Sequence, residues 1–98
     1  MGTKIQLSSR DVFRDLGFDI EESESLRIRS ELMIELSDLI QHKGWTQARA
    51  AEVMGVSQPR ISDLVRGKID RFSIDTLIAM LGSAGVKVRV TTNASRVA

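Results

Sequence analysis

Apolar residues recur every three or four positions through the middle of the chain, at Leu26, Leu32, Met33, Leu36, Leu39 and Ile40. That spacing lays a broad apolar stripe along one side of a helix, starting at about Ser23 or Ser25 and ending at Lys43 before Gly44. Three shorter stretches repeat the signal: 47–54, 58–66 and 74–83. Each follows a residue whose hydroxyl can accept a backbone N–H of the first turn: Thr46, Ser57 and Ser73. Trp45, between the long helix and the first short one, is expected to be a core anchor. Lys68 to Phe72 is expected to be a loop, and Asp75 sits near the positive end of the helix that follows it.

The two ends break this period. Lys4-Ile5-Gln6-Leu7 alternates polar and apolar over too few residues to define a strand alone. Ser9 can cap a short helix over Arg10–Leu16, with Val12, Phe13 and Leu16 on one side and Gly17 at its end. Phe18 and Ile20 then serve as apolar anchors before the acidic Glu21 and Glu22. Residues 1–22 are thus a segment that either docks on the domain or stays free of it. Residues 23–85 form the domain proper. Val86 to Thr91 alternates again, a half-buried strand within residues 86–92, and 93–98 is a tail. A lone strand leaves a row of backbone groups unpaired, so this one needs a partner: Lys4–Leu7 of its own chain, or its own copy in a second chain. The second is preferred, because an antiparallel pair across a two-fold axis buries Val86, Val88 and Val90 and makes a dimer.

Within Trp45–Lys68 the two short helices are joined by a tight turn at Gly55. Glycine takes positive φ without steric cost, and Pro59, just inside the second helix, lacks an N–H that would be unpaired there anyway. Two helices meeting through a three- to four-residue turn make a helix-turn-helix, which puts its second helix into the DNA major groove. The residues also resemble a family. T-Q-x-x-x-A, then G-V-S, then I-S-x-x-x-x-G-K is the pattern of the Xre/Cro/phage-repressor helix-turn-helix. Thr46, Gln47, Ala51, Gly55, Val56, Ser57, Ile61, Ser62, Gly67 and Lys68 match it in type and spacing, over about a quarter of the chain. Ala50 departs from it, standing where many relatives carry leucine, which implies closer helix approach or a smaller core. Arg66 to Leu77 is similar to a narrower group, small stand-alone regulators that include HigA-like antitoxins. The resemblance implies an all-α, five-helix, lambda-repressor-like domain, here with a short C-terminal β-strand.

Composition sharpens this picture. Ninety-eight residues with 42% apolar content suffice for one small domain, which would gain from dimerisation. The chain has no cysteine, so disulfides and thiolate metal sites are excluded and a reducing cytoplasm is the simplest setting. No apolar run is long enough for a membrane span, and neither a signal peptide nor a myristoylation motif is legible at the N-terminus. The net charge of +1 conceals an asymmetry. Residues 1–42 hold five Lys/Arg against nine Asp/Glu, a charge of −4. Residues 43–71 hold six against three, +3, and residues 72–98 three against one, +2. Positive charge thus gathers on the helix-turn-helix and its C-terminal side, where DNA phosphates would lie.

In the second helix Gln58 suits an adenine edge and Arg60 the two acceptors of guanine, while Pro59 offers apolar contact to a thymine methyl. Ser62 and Asp63 lie one turn on; Asp63 either accepts from a cytosine amino group, repels misplaced phosphate, or pairs locally with Arg60, Arg66 or Lys68. Ile61 and Leu64 point into the core. Gln47 and Ser57 suit phosphate contacts through side chains and helix N-terminal amides, and Arg49, Arg66, Lys68 and Arg71 supply charge, with Arg49 and Arg71 also able to pair with Glu52 or Asp70. Catalysis finds no footing: His42 stands alone beside Lys43, without a thiol, a second histidine or a carboxylate cluster, and no Gly-rich phosphate loop follows a strand. An enzyme, a metal and a cofactor are not expected.

The function expected is a dimeric repressor on palindromic double-stranded DNA. The resemblance implies a finer form, an autorepressor that also neutralises a cognate toxin, often a ribosome-dependent mRNA-cleaving one, with the acidic N-terminal third facing that toxin. Two other readings stay open: a phage-type or restriction-system regulator with no toxin, and a helix-turn-helix used only for protein interaction. The polar, basic outer face of helix 58–66 favours DNA over the last of these.

Overall fold

The computed structural model describes residues 19–93 and the backbone of residues 3–4. Four α-helices lie among these residues: α1 (Ile20–Lys43), α2 (Gln47–Met54), α3 (Gln58–Val65) and α4 (Ile74–Ser83). A 3₁₀ turn, Ile69–Arg71, sits between α3 and α4, and two-residue strands β1 (Thr3–Lys4) and β2 (Val88–Arg89) pair in parallel. The expected helix over Arg10–Leu16, the fifth of the set, lies outside the described residues, as does the end of the tail.

Each helix is bracketed by local signals. The side chains of Asp19, Thr46, Ser57 and Ser73 accept the backbone N–H of Glu22, Arg49, Arg60 and Thr76 respectively, satisfying first-turn donors that no carbonyl reaches. At the other ends the chain turns back through a left-handed glycine. Trp45 N–H reaches Ile40 O at 3.1 Å, Val56 N–H reaches Ala51 O at 3.0 Å, Lys68 N–H reaches Asp63 O at 3.0 Å and Val86 N–H reaches Leu81 O at 2.9 Å. These are the six-to-one bonds of the Schellman motif, and Trp45, Val56 and Val86, each following the glycine, fold back onto the core. The positive φ matters most at Gly55, whose 69° sets the turn between α2 and α3.

The core is one cluster drawn from every helix: Leu32, Met33, Leu36 and Ile40 of α1, Ala50, Ala51 and Met54 of α2, Ile61 and Leu64 of α3, Leu77, Met80 and Leu81 of α4, with Phe72 between the last two. Ala50 is fully buried, so a small residue sits where α2 meets its neighbours closely. Trp45 is half-buried against this cluster rather than central to it.

Several boundaries differ from those read in the sequence. Helix α1 starts before Ser23, because Asp19 supplies the cap and Glu21 and Glu22 fall in its first turn, facing the positive end of the helix dipole. Ser23 and Arg27 are consequently helical and buried, and Leu26 is only half-buried. Helix α3 ends at Val65, with Arg66 as its cap. The stretch Lys68–Phe72 is not simply a loop, since its middle closes a 3₁₀ turn through Phe72 N–H to Ile69 O at 3.3 Å. The C-terminal strand is Val88–Arg89, shorter than the alternation over 86–91 suggests. Its register pairs Thr3 with Val88 and Lys4 with Arg89 in the same chain. Val86 and Val88 pack on the chain's own core, whereas Val90 is 73% exposed.

Candidate nucleic-acid interface

Helices α2 and α3 pack against each other through the turn at Gly55, and α3 displays one side to solvent. Its inner side is fixed by Ile61 and Leu64, at 0% and 1% exposure, and by contact with α1. The outward residues follow from that constraint at helical spacing. Gln58 and Pro59 are exposed, Ser62 one turn on is half-buried at the rim, and Arg66 one turn further is exposed. Gln47 and Ser57, at the starts of α2 and α3, are exposed alongside them.

The positions of Arg60 and Asp63 differ from those of freely projecting base readers. Arg60 lies on the flank of α3 that faces the 3₁₀ turn. Its Nη1 donates to the Arg71 carbonyl at 2.8 Å, and its guanidinium stands 5.3 Å from the centre of the Phe72 ring. Asp63, three residues on along the same flank, has its carboxylate 3.7 Å from Lys68 Nζ and 3.6 Å from Arg71 Nη1. Of the local partners weighed for Asp63, Lys68 is the one it meets. Arg71 replaces Arg60 and Arg66, because the turn carries residue 71 back across the end of α3. Arg49 stands 3.8 Å from Glu52, with both side chains mostly exposed, a weak pairing that solvent screens.

A further arginine braces the site from outside the motif. Arg29 of α1 donates through Nη1 to the Ile69 carbonyl at 3.2 Å, while its Nε also reaches the Ser25 hydroxyl at 3.2 Å. Sequence periodicity gives Arg29 no special place, since its partner lies forty residues away; only the fold brings them together. Gln47, Arg49, Ser57, Gln58, Pro59, Arg66 and Arg71 are thus exposed and Ser62 and Lys68 half-buried, and Arg29 and Arg60 bond two carbonyls of the turn that carries Arg71.

A model of a helix-turn-helix domain family matches residues 12–93, taking in all four helices and β2. The chain belongs to that family. No curated protein matches it. In the helix-turn-helix family member described here, α2 is the first helix of the motif and α3 the second, the one that enters the major groove in this architecture. No described helix is long and apolar enough to cross a membrane, and no group of His, Asp and Glu among the described residues is close enough to hold a metal ion.

Proposed function

We propose that the protein is a sequence-specific DNA-binding transcriptional regulator that represses by occluding a palindromic operator as a homodimer. The observation that carries this reading is the split of α3 into a buried row, Ile61 and Leu64, and a polar outward row running from Gln58 to Arg66, flanked by Lys68 and Arg71. A helix needs only the first row to stay folded. The second offers hydrogen-bond donors and acceptors of the kinds that read base edges, with Gln58 matched to adenine and Arg66 long enough to reach a guanine or a phosphate. Gln47, Ser57, Arg49, Lys68 and Arg71 supply the backbone contacts that set register on the duplex.

The finer reading is an autorepressor that also acts as the antitoxin of a toxin–antitoxin operon. It is supported by the likeness of Arg66–Leu77 to HigA-like antitoxins and by the acidic start of α1, where Glu21 and Glu22 are exposed. A toxin with a basic surface would meet this end while α3 stayed free for DNA.

The test is a titration of the purified protein against the duplex upstream of its own coding region, at two salt concentrations with random competitor. Footprinted binding to an inverted repeat, weakening steeply as salt rises, is the expected result. Binding no tighter than to random duplex would remove the operator reading and leave a protein-interaction module.

A further inference from the structure

Two carbonyl groups of the Ile69–Phe72 stretch point at arginines from different helices. Arg29 of α1 holds the Ile69 carbonyl at 3.2 Å, and Arg60 of α3 holds the Arg71 carbonyl at 2.8 Å. The Arg60 contact has a second component, since its guanidinium stands 5.3 Å from the centre of the ring of Phe72, a residue with only 2% exposure. A cation over a buried aromatic face is attracted to it, and a charged donor to a carbonyl makes a stronger hydrogen bond than a neutral one. Beyond Arg60 on the same flank, the Asp63 carboxylate lies between Lys68 and Arg71, at 3.7 and 3.6 Å. Loosely spaced and partly exposed, these ion pairs cannot by themselves hold a loop. The arginine staple can, because it fixes the backbone from which Arg71 projects.

We propose that Arg60 is a positioning residue and not a base reader. It ties the Lys68–Phe72 stretch to the recognition helix, and together with Asp63 it sets Lys68 and Arg71 at a fixed offset from the helix as a clamp for one DNA phosphate. Base choice then rests with Gln58, Pro59, Ser62 and Arg66. This assignment rests on the DNA-binding reading above and divides its labour among the residues. A clamp fixed before binding loses less freedom on meeting a phosphate than two free side chains would.

The experiment selects binding sites from a random duplex library with the wild type, Arg60→Gln and Arg60→Met, then measures affinity and salt dependence on the selected duplex. Hydrogen exchange of the DNA-free proteins is followed in parallel. Glutamine keeps a donor for the Arg71 carbonyl and should fold as the wild type does, so it covers the case in which the methionine variant fails to fold. The expected result is an unchanged selected motif and affinity lowered about threefold to tenfold on every duplex, more for methionine than for glutamine. The salt dependence should flatten by about one ion. Exchange at Arg71 and Phe72, whose amides bond Lys68 and Ile69 carbonyls, should quicken even without DNA. A changed preference at one base position, above all guanine giving way to adenine in Arg60→Gln, would overturn the proposal and make Arg60 a base reader. Unaltered exchange with lowered affinity would also overturn it, marking Arg60 as a direct phosphate contact. If the wild type selects no motif at all, the DNA-binding reading falls and this assignment with it.

Discussion

Arg27 of α1 is buried at 6% exposure and paired through Nη2 with Glu24, while its Nε and Nη1 are buried without a hydrogen-bond partner among the described residues. Each such donor costs about 1–3 kcal/mol relative to a satisfied one, so a buried guanidinium is weak evidence of stabilisation. Arg27→Met keeps most of the volume and removes the orphaned donors. Its urea-unfolding free energy should therefore equal or exceed that of the wild type, and a loss above about 2 kcal/mol would mean the guanidinium holds more than Glu24. Ser57 offers a residue-scale test that separates folding from function. Its hydroxyl accepts Arg60 N–H at 3.3 Å as the cap of α3. Ser57→Ala should lose about 1 kcal/mol of stability. Ser57→Asp keeps a good cap and suits the helix dipole, so it should fold at least as well as wild type, yet it places an anion where a phosphate would dock. Urea unfolding and duplex titration together should show stability retained and DNA affinity falling at least tenfold; unchanged affinity would place the phosphate path elsewhere.

At the scale of elements, the helix ends make opposite demands on glycine. Gly55 holds φ at 69°, and a Cβ added there would meet only the Ser83 hydroxyl at 3.9 Å, an ordinary contact. Gly55→Ala should therefore cost the conformational penalty alone, about 1–2 kcal/mol in thermal or urea unfolding. Gly82, inside α4 with nothing within 4 Å of an added Cβ, should instead gain about 0.5 kcal/mol as alanine. If both substitutions shift stability in the same direction, the backbone account of these turns is wrong. The same local character explains what was legible in advance. Thr46, Ser57 and Ser73 announce their helices because a cap acts on a backbone group three residues away, and the glycines after Lys43, Met54 and Arg66 act just as locally. Asp19 and Glu22 carry that signal too, a cap and an acidic residue three positions on, but the nearby Ser23 and Ser25 compete with it as starts for α1. What the pattern of apolar residues could not yield is the side-chain traffic between distant segments. Arg60 has the chemistry of a guanine reader, and only the path of the chain after Gly67 brings the Arg71 carbonyl within its reach. Arg29 and Ile69 are a longer-range case of the same kind.

For the whole molecule, segments far apart in sequence meet, because β1 (Thr3–Lys4) pairs in parallel with β2 (Val88–Arg89). That pairing occupies one edge of β2 and leaves its other edge without a strand partner among the described residues. A two-fold operator requires two recognition helices held about 34–36 Å apart, so the proposed dimer needs a surface that leaves the outer face of α3 free. We propose the open edge of β2 for that surface, although the residues it can offer are fewer than the alternation of valines suggests. Val86 and Val88 are spent on the chain's own core, and Val90, at 73% exposure, is left to meet a second copy. The two valines should therefore separate cleanly. Val88→Glu drives a charge towards the cluster and should lower the unfolding midpoint of each protomer by several degrees. Val90→Glu should leave that midpoint unchanged at low concentration while sedimentation shows the dimer converting to monomer, with operator affinity falling in step. A Val90→Glu protein that still sediments as a dimer would exclude this strand as the interface and move the two-fold axis to another face of the domain.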